Sequence, residues 1–162
     1  YTTGSPNFIE TWHMEPSDIK QEYQEEIKKN IFKALTALGI QNGASHTEFK
    51  VNENGGFGII EIGARMGGDC IGSDLVQIST GYDFVKMVID VACGKEPDFT
   101  KVTKPTKAVI KFIFTQNDLN EMNEFSEKYP NQIYRISDME LENLGKTVDS
   151  SSRIGYYIYT PE

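Results

Sequence analysis

Apolar residues recur at three- and four-residue spacing from Ile19 through Tyr23, Ile27, Ile31 and Leu35 to Leu38. This stripe predicts an amphipathic helix. Asp18 with Gln21 reads as its capping box, and Gly39 as the residue that ends it. The period then changes to two. Residues 46–51 place His46, Glu48 and Lys50 on one side and Thr47, Phe49 and Val51 on the other. Residues 57–65 alternate as well, with Glu61, Gly63 and Arg65 opposite Ile60, Ile62 and Ala64. Asn54-Gly55 lies between, a strong hairpin signal. A turn on those two residues pairs Thr47 with Ile62, Phe49 with Ile60 and Glu48 with Glu61. The longer sequence Asn52–Gly56 leaves open a larger loop and another register.

The remainder alternates short helices and strands. Ser73 or Asp74 is a suitable N-cap for a helix that Gly81 stops, and Asp83 caps another that ends at Gly94. A loop with two prolines covers 95–106, and Lys107 to Phe114 reads as a strand. Residues 118–129 form a predicted helix with Leu119, Met122 and Phe125 inward. Gln132–Ile136 and Arg153–Tyr159 are predicted strands, with a turn at Asn143-Leu144-Gly145. Residues 1–12 suggest a strand remnant, and His13 to Pro16 a loop. The fold class is therefore α+β, an antiparallel sheet with helices packed on it, followed by a small β-rich module.

The hairpin carries the candidate chemistry. Like charges placed directly across a strand pair destabilise it. Glu48 opposite Glu61 therefore implies a cation between them. Mg²⁺ suits such a pair, because it takes carboxylate oxygens and leaves positions for phosphate oxygens. Arg65 on the same side adds a guanidinium, and Gly67-Gly68 lets the backbone come close to an anion. The plainer reading is a surface hairpin that happens to be charged. Arg153 is a further cation that could serve the site, or a structural arginine.

Composition narrows the function classes. The chain has 162 residues and a formal net charge of −8. An acidic chain is a poor partner for nucleic acid. No run is apolar enough to span a bilayer and no signal peptide opens the sequence, so a cytoplasmic protein with no membrane association is expected. Cys70 and Cys93 lie in apolar surroundings and read as buried free thiols. The opening Tyr1-Thr2-Thr3-Gly4 suggests a piece of a longer protein.

His46-Thr47-Glu48-Phe49 and Ile59-Ile60-Glu61-Ile62-Gly63-Ala64-Arg65-Met66-Gly67-Gly68 resemble the metal- and phosphate-binding end of ATP-grasp enzymes. The likeness runs from about His13 to about Tyr159 and is nearest the amino-acid (dipeptide) ligase branch. It implies that Glu48 and Glu61 are the metal ligands and that Arg65 is the arginine of a Glu-x-Asn-x-Arg pattern, with Gly63 where Asn is usual. The implied cofactors are ATP and Mg²⁺, with Mn²⁺ as an alternative ion. Arg65 would bind nucleotide and act in catalysis, and Arg65, Gly67, Gly68 and Ser73 would hold the carboxylate substrate beside the γ-phosphate. Residues 1–103 would form the C-terminal half of an ATP-grasp domain and 104–162 a small β-rich lobe. The implied activity is ATP-dependent carboxylate–amine ligation through an acyl phosphate, with small-molecule carboxylate and amine substrates. An N-terminal lobe of the same polypeptide would complete the site, so the piece alone would be inactive. A homodimer is compatible with this reading. Carbamoyl-phosphate-synthase-like and biotin-carboxylase-like enzymes remain alternatives, as does a non-catalytic remnant acting as a binding module.

Overall fold

A computed structural model describes residues 1–146 and 148–161. Its strands are β1 (Trp12–Glu15), β2 (His46–Val51), β3 (Phe57–Gly63), β4 (Ala108–Ile113), β5 (Ile133–Ile136) and β6 (Gly155–Tyr159). Its α-helices are α1 (Gln21–Ala37), α2 (Val76–Thr80), α3 (Phe84–Ala92) and α4 (Gln116–Lys128). The chain divides into two compact units. One comprises Tyr1–Pro16, Ile78–Thr80 and Lys104–Glu162, the other Ser17–Gln77 and Gly81–Thr103. The α+β class holds. Among the described residues no helix is long and apolar enough to cross a membrane.

The first unit is built on an antiparallel sheet in the order β1-β4-β6-β5. β4 is one of its two inner strands, and Ala108, Val109, Ile110, Phe112 and Ile113 are all buried. Burial on both faces explains why this stretch is nearly continuously apolar. α4 starts from a capping box in which Thr115 and Asp118 satisfy each other's backbone N–H groups. Met122 then packs with Ile113, Ile154 and Tyr157, flanked by Leu119 and Phe125. Burial pushes the Tyr157 phenol up to about 12. Trp12 to Glu15 is a strand, so His13 to Glu15 are not the expected loop and only Trp12 falls within the expected strand remnant. Its partner, Ala108 to Lys111, lies far along the chain, so no local pattern announces the pairing. Arg153 is a structural residue here. Its guanidinium lies 3.7 Å from the Phe112 ring centre and donates to Glu10 at 3.3 Å.

In the second unit α1 begins at Gln21, not at Asp18. Lys20 is its N-cap, and no side chain closes the end. The backbone turns first: Tyr23 N–H bonds to the Lys20 carbonyl, and the Gln24 amide reaches back to Ile19 at 2.8 Å. The C-terminus behaves as read. Gly39, at φ +72°, donates to Thr36, and Ile40 donates to Leu35. That is the complete pair of bonds of a Schellman close. Ile27 is the buried centre of the stripe, whereas Phe32 and Leu38 are exposed. α3 is capped by the Asp83 carboxylate, which accepts from Lys86 N–H. Both cysteines are free, but Cys93 is exposed at the end of α3 and Cys70 is half-buried. Neither has the full burial expected of it.

Candidate functional site

The turn between β2 and β3 is one residue longer than Asn54-Gly55 alone requires. Asn52 N–H bonds to Gly56 O, and Gly55 N–H bonds to Asn52 O. The Asn52 side chain also accepts from the backbone of Asn54 and Gly56. Gly55 takes φ +80°, the left-handed residue that a three-residue hairpin loop needs. Phe57, Gly58 and Ile59 consequently pair with Val51, Lys50 and Phe49. Ile60 is then the extra residue of a β-bulge, and Glu61 pairs with Glu48, Ile62 with Thr47 and Gly63 with His46. The expected Phe49–Ile60 pair is therefore replaced by Phe49–Ile59. Ile60 is 60% exposed, not on a buried apolar face. The longer loop and the bulge offset each other, so Glu48 still faces Glu61.

Both carboxylates are exposed on a shared face. β3 ends at Gly63, so Arg65 lies beyond the strand. Its side chain nevertheless folds along the same face. A Cβ built at Gly63 would sit 3.4 Å from Arg65 Cγ and 3.7 Å from its Nε. Gly63 follows Glu61 by two residues, so that Cβ direction is Glu61's own. A Cβ there would be in ordinary van der Waals contact; the glycine itself supplies no donor atom. Arg65 Nη1 donates to the Met66 carbonyl at 2.9 Å, which leaves further guanidinium donors for an anion.

Gly67 and Gly68 lead into a tight helical entry. Asp69 and Cys70 take φ +51° and +59°, a left-handed pair without glycine. Each such residue costs about 1–3 kcal/mol and such strain gathers at functional sites. A π-turn, Ile71–Leu75, follows, with Cys70 at its N-cap. Neither Ser73 nor Asp74 is therefore an N-cap. Both lie within the turn, where Asp74 is buried and the Ser73 hydroxyl donates to it at 2.6 Å. Ser73 is thus committed to its neighbour, and no contact of the described residues brings it to the carboxylate pair.

His46 is the residue that sequence reasoning passed over. Its Nε2 lies 3.7 Å from Glu48 Oε1, and its Nδ1 would lie 3.0 Å from a Cβ at Gly67. Period-two alternation already put it on Glu48's face, which was the available signal. Among the described residues no group of three or more His, Cys, Asp or Glu side chains is arranged to hold a metal. Two carboxylate donors suit a hard ion that keeps water and phosphate oxygens as its other ligands. Mg²⁺ therefore fits the residues present, and a site closed by protein alone does not.

Residues 1–74 match the ATP-grasp domain family. Alanine–anticapsin ligase of Bacillus subtilis strain 168 is 37% identical over 97 residues, which are 59% of this chain and 20% of that protein. The chain thus spans about a fifth of the length of the curated relatives it matches. An L-amino acid ligase from Bacillus licheniformis is similar at 25% identity and TM-score 0.75, over 96% of this chain and 40% of that one. Phosphoribosylglycinamide synthetase from Anaerococcus prevotii shares the fold at TM-score 0.79 and 22% identity, over 100% of this chain and 42% of that one. Residues 1–74 thus match the ATP-grasp domain family, and the fold of the whole chain is similar to those of the ligase and the synthetase.

Proposed function

We propose that this chain is part of an ATP-dependent carboxylate–amine ligase and contributes its metal- and phosphate-facing hairpin. The observation that carries the reading is the direct pairing of Glu48 with Glu61. An exposed like-charge pair serves no structural purpose, and a divalent cation removes its cost. The similarity to an L-amino acid ligase favours amino-acid-like substrates. Residues 1–103 are assigned on this reading to an ATP-grasp domain and 104–162 to an accessory lobe. A further lobe of the polypeptide would supply the adenine pocket, in keeping with the modest share of each relative that is covered.

In the reaction a substrate carboxylate oxygen attacks the γ-phosphorus of ATP. The bond to the β,γ-bridging oxygen breaks, and ADP leaves. The resulting acyl phosphate is attacked at its carbonyl carbon by an amine, which loses a proton as phosphate departs. Bound Mg²⁺ would neutralise charge on the β- and γ-phosphate oxygens. Glu48 and Glu61 would hold the ion. Arg65 would bind the transferring phosphoryl group and oppose the charge that grows on it. Gly67 and Gly68 would admit the substrate carboxylate close to the backbone. Ser73 belongs to this substrate set only if its bond to Asp74 opens. No side-chain nucleophile is required.

The test is phosphate release by the complete polypeptide with Mg-ATP and a panel of amino-acid pairs. Turnover should require a carboxylate, and hydroxylamine should trap the acyl phosphate as a hydroxamate. Turnover with bicarbonate alone would instead indicate a carboxylase-like or carbamoyl-phosphate-like enzyme.

A further inference from the structure

The geometry points to His46 as a positioning residue that fixes the metal-facing rotamer of Glu48. This inference rests on the proposed metal role of Glu48. His46 and Glu48 are two residues apart on β2 and share one face. The imidazole stands between two features of the site. Its Nε2 is 3.7 Å from Glu48 Oε1. Its Nδ1 edge rests where Gly67 lacks a side chain, only 3.0 Å from the position a Cβ would take. Gly67 therefore makes room for the ring and for Ile71, whose Cβ and Cγ2 lie equally close to that position.

The two side chains differ in freedom. His46 is 24% exposed and wedged, whereas Glu48 is 50% exposed. A long, half-exposed carboxylate samples several rotamers, and holding one costs entropy. A fixed donor beside it removes part of that cost. At 3.7 Å the contact lies just beyond hydrogen-bond length, and a rotation of Glu48 would be needed to close it. Such contacts commonly tighten when a site fills. With its hydrogen on Nε2, the ring takes one lone pair of Oε1 and leaves the remaining carboxylate lone pairs for a cation. Outer partners of this kind tune metal affinity about 10- to 100-fold.

The experiment uses the complete polypeptide with three substitutions, His46→Phe, His46→Gln and His46→Asn. His46→Phe keeps a ring and removes the donor. His46→Gln can place an amide near the Nε2 position, whereas His46→Asn places it near Nδ1. Mn²⁺ binding is read by electron paramagnetic resonance in the presence of the β,γ-imido analogue of ATP, beside the Mg²⁺ concentration for half-maximal turnover. His46→Phe should weaken Mn²⁺ binding about 10-fold and raise the Mg²⁺ requirement alike, with kcat recovered at saturating Mg²⁺. His46→Gln should restore both to near the parent values, and His46→Asn should not. Should the Phe variant fail to fold, the contrast between Gln and Asn decides. Equal Mn²⁺ affinity in those two variants, or an unaltered affinity in His46→Phe, overturns the inference. Glu48→Gln separates the two levels. If it abolishes Mn²⁺ binding while His46→Phe does nothing, the metal site stands and the role of His46 falls. If Glu48→Gln also leaves Mn²⁺ binding intact, the metal reading fails and this inference falls with it.

Discussion

Glu48 stands directly across the strand pair from Glu61, in a register produced by two compensating one-residue offsets. The three-residue loop shifts the pairing one way and the bulge at Ile60 shifts it back. A single uncompensated slip would turn one carboxylate to the opposite face. Bulges often lie beside active sites, where they aim a particular side chain.

Removal of one carboxylate should separate function from stability. Glu61→Gln should lower Mg²⁺-dependent turnover at least about 100-fold, since a direct ligand matters more than an outer partner. The same substitution should leave stability unchanged, or raise it by a few tenths to about 1 kcal/mol, because a like-charge pair disappears. Turnover and thermal melts of the complete polypeptide decide the matter. Near-normal activity with a large loss of stability would make Glu61 structural and end the metal-site reading.

Arg65→Lys tests the phosphate contact. Arg65 Nε lies beside the Cβ direction of Gly63 on the carboxylate face while Nη1 bonds to Met66. A lysine cannot hold that backbone bond and address an anion in a plane at once. Turnover should fall about 100-fold, as on loss of one transition-state donor. Double substitution of Arg65 and Glu61 should lose much less than the product of the single losses, because the two share one task. Multiplicative losses would show that they act separately.

The sequence made local features legible and long-range ones not. The α1 stripe, the Gly39 close and the Asp83 cap each depend on neighbours within a turn. The Gly39 close and the Asp83 cap came out as read, and the stripe did so from Tyr23 to Leu35, whereas Leu38 is exposed and Ile19 precedes the helix. The Glu48–Glu61 pairing also came out, although through a loop and a bulge that alternation cannot distinguish from a regular hairpin. Most of β1 could not be read because His13 to Glu15 become a strand only on meeting β4. The π-turn was mistaken for a capped α-helix because Ser73 and Asp74 have ideal capping chemistry. Tertiary packing buries Asp74 instead. His46 was overlooked because its relation to Gly67 is a spatial fit that sequence spacing does not express.

Gly55 is fixed twice over. Its φ of +80° disfavours any L side chain, and a Cβ there would run into the Tyr23 ring of α1. The conformational part of Gly55→Ala should cost about 1–2 kcal/mol, with the clash adding to it. In a Tyr23→Ala background the second part vanishes, so the same glycine substitution should cost only the first. Denaturant melts of the four proteins give the cycle. Equal costs in both backgrounds would show that Tyr23 does not press on the turn.

Glu15 predicts a pH dependence whose sign follows from its surroundings. Burial raises its carboxyl above the ordinary 4.5, and the Ser79 hydrogen bond and nearby His13 offset only part of the rise. Ser79 Oγ donates to Glu15 Oε2 at 3.2 Å. The folded protein therefore binds this proton more tightly than the unfolded chain does. The stabilisation from protonated Glu15 is fully present below about pH 4.5, and it is lost as pH rises through the higher folded value. Glu15→Gln keeps an acceptor for Ser79 and carries no charge. It should melt higher than the parent at pH 7, and the gain should disappear below about pH 4.5, where the parent carboxyl is neutral in both states. Melting of the complete polypeptide from pH 4 to pH 8 gives the comparison. A Gln variant less stable than the parent at pH 7 would mean that His13 and Ser79 hold Glu15 charged against the effect of burial, and the slope would then run the other way.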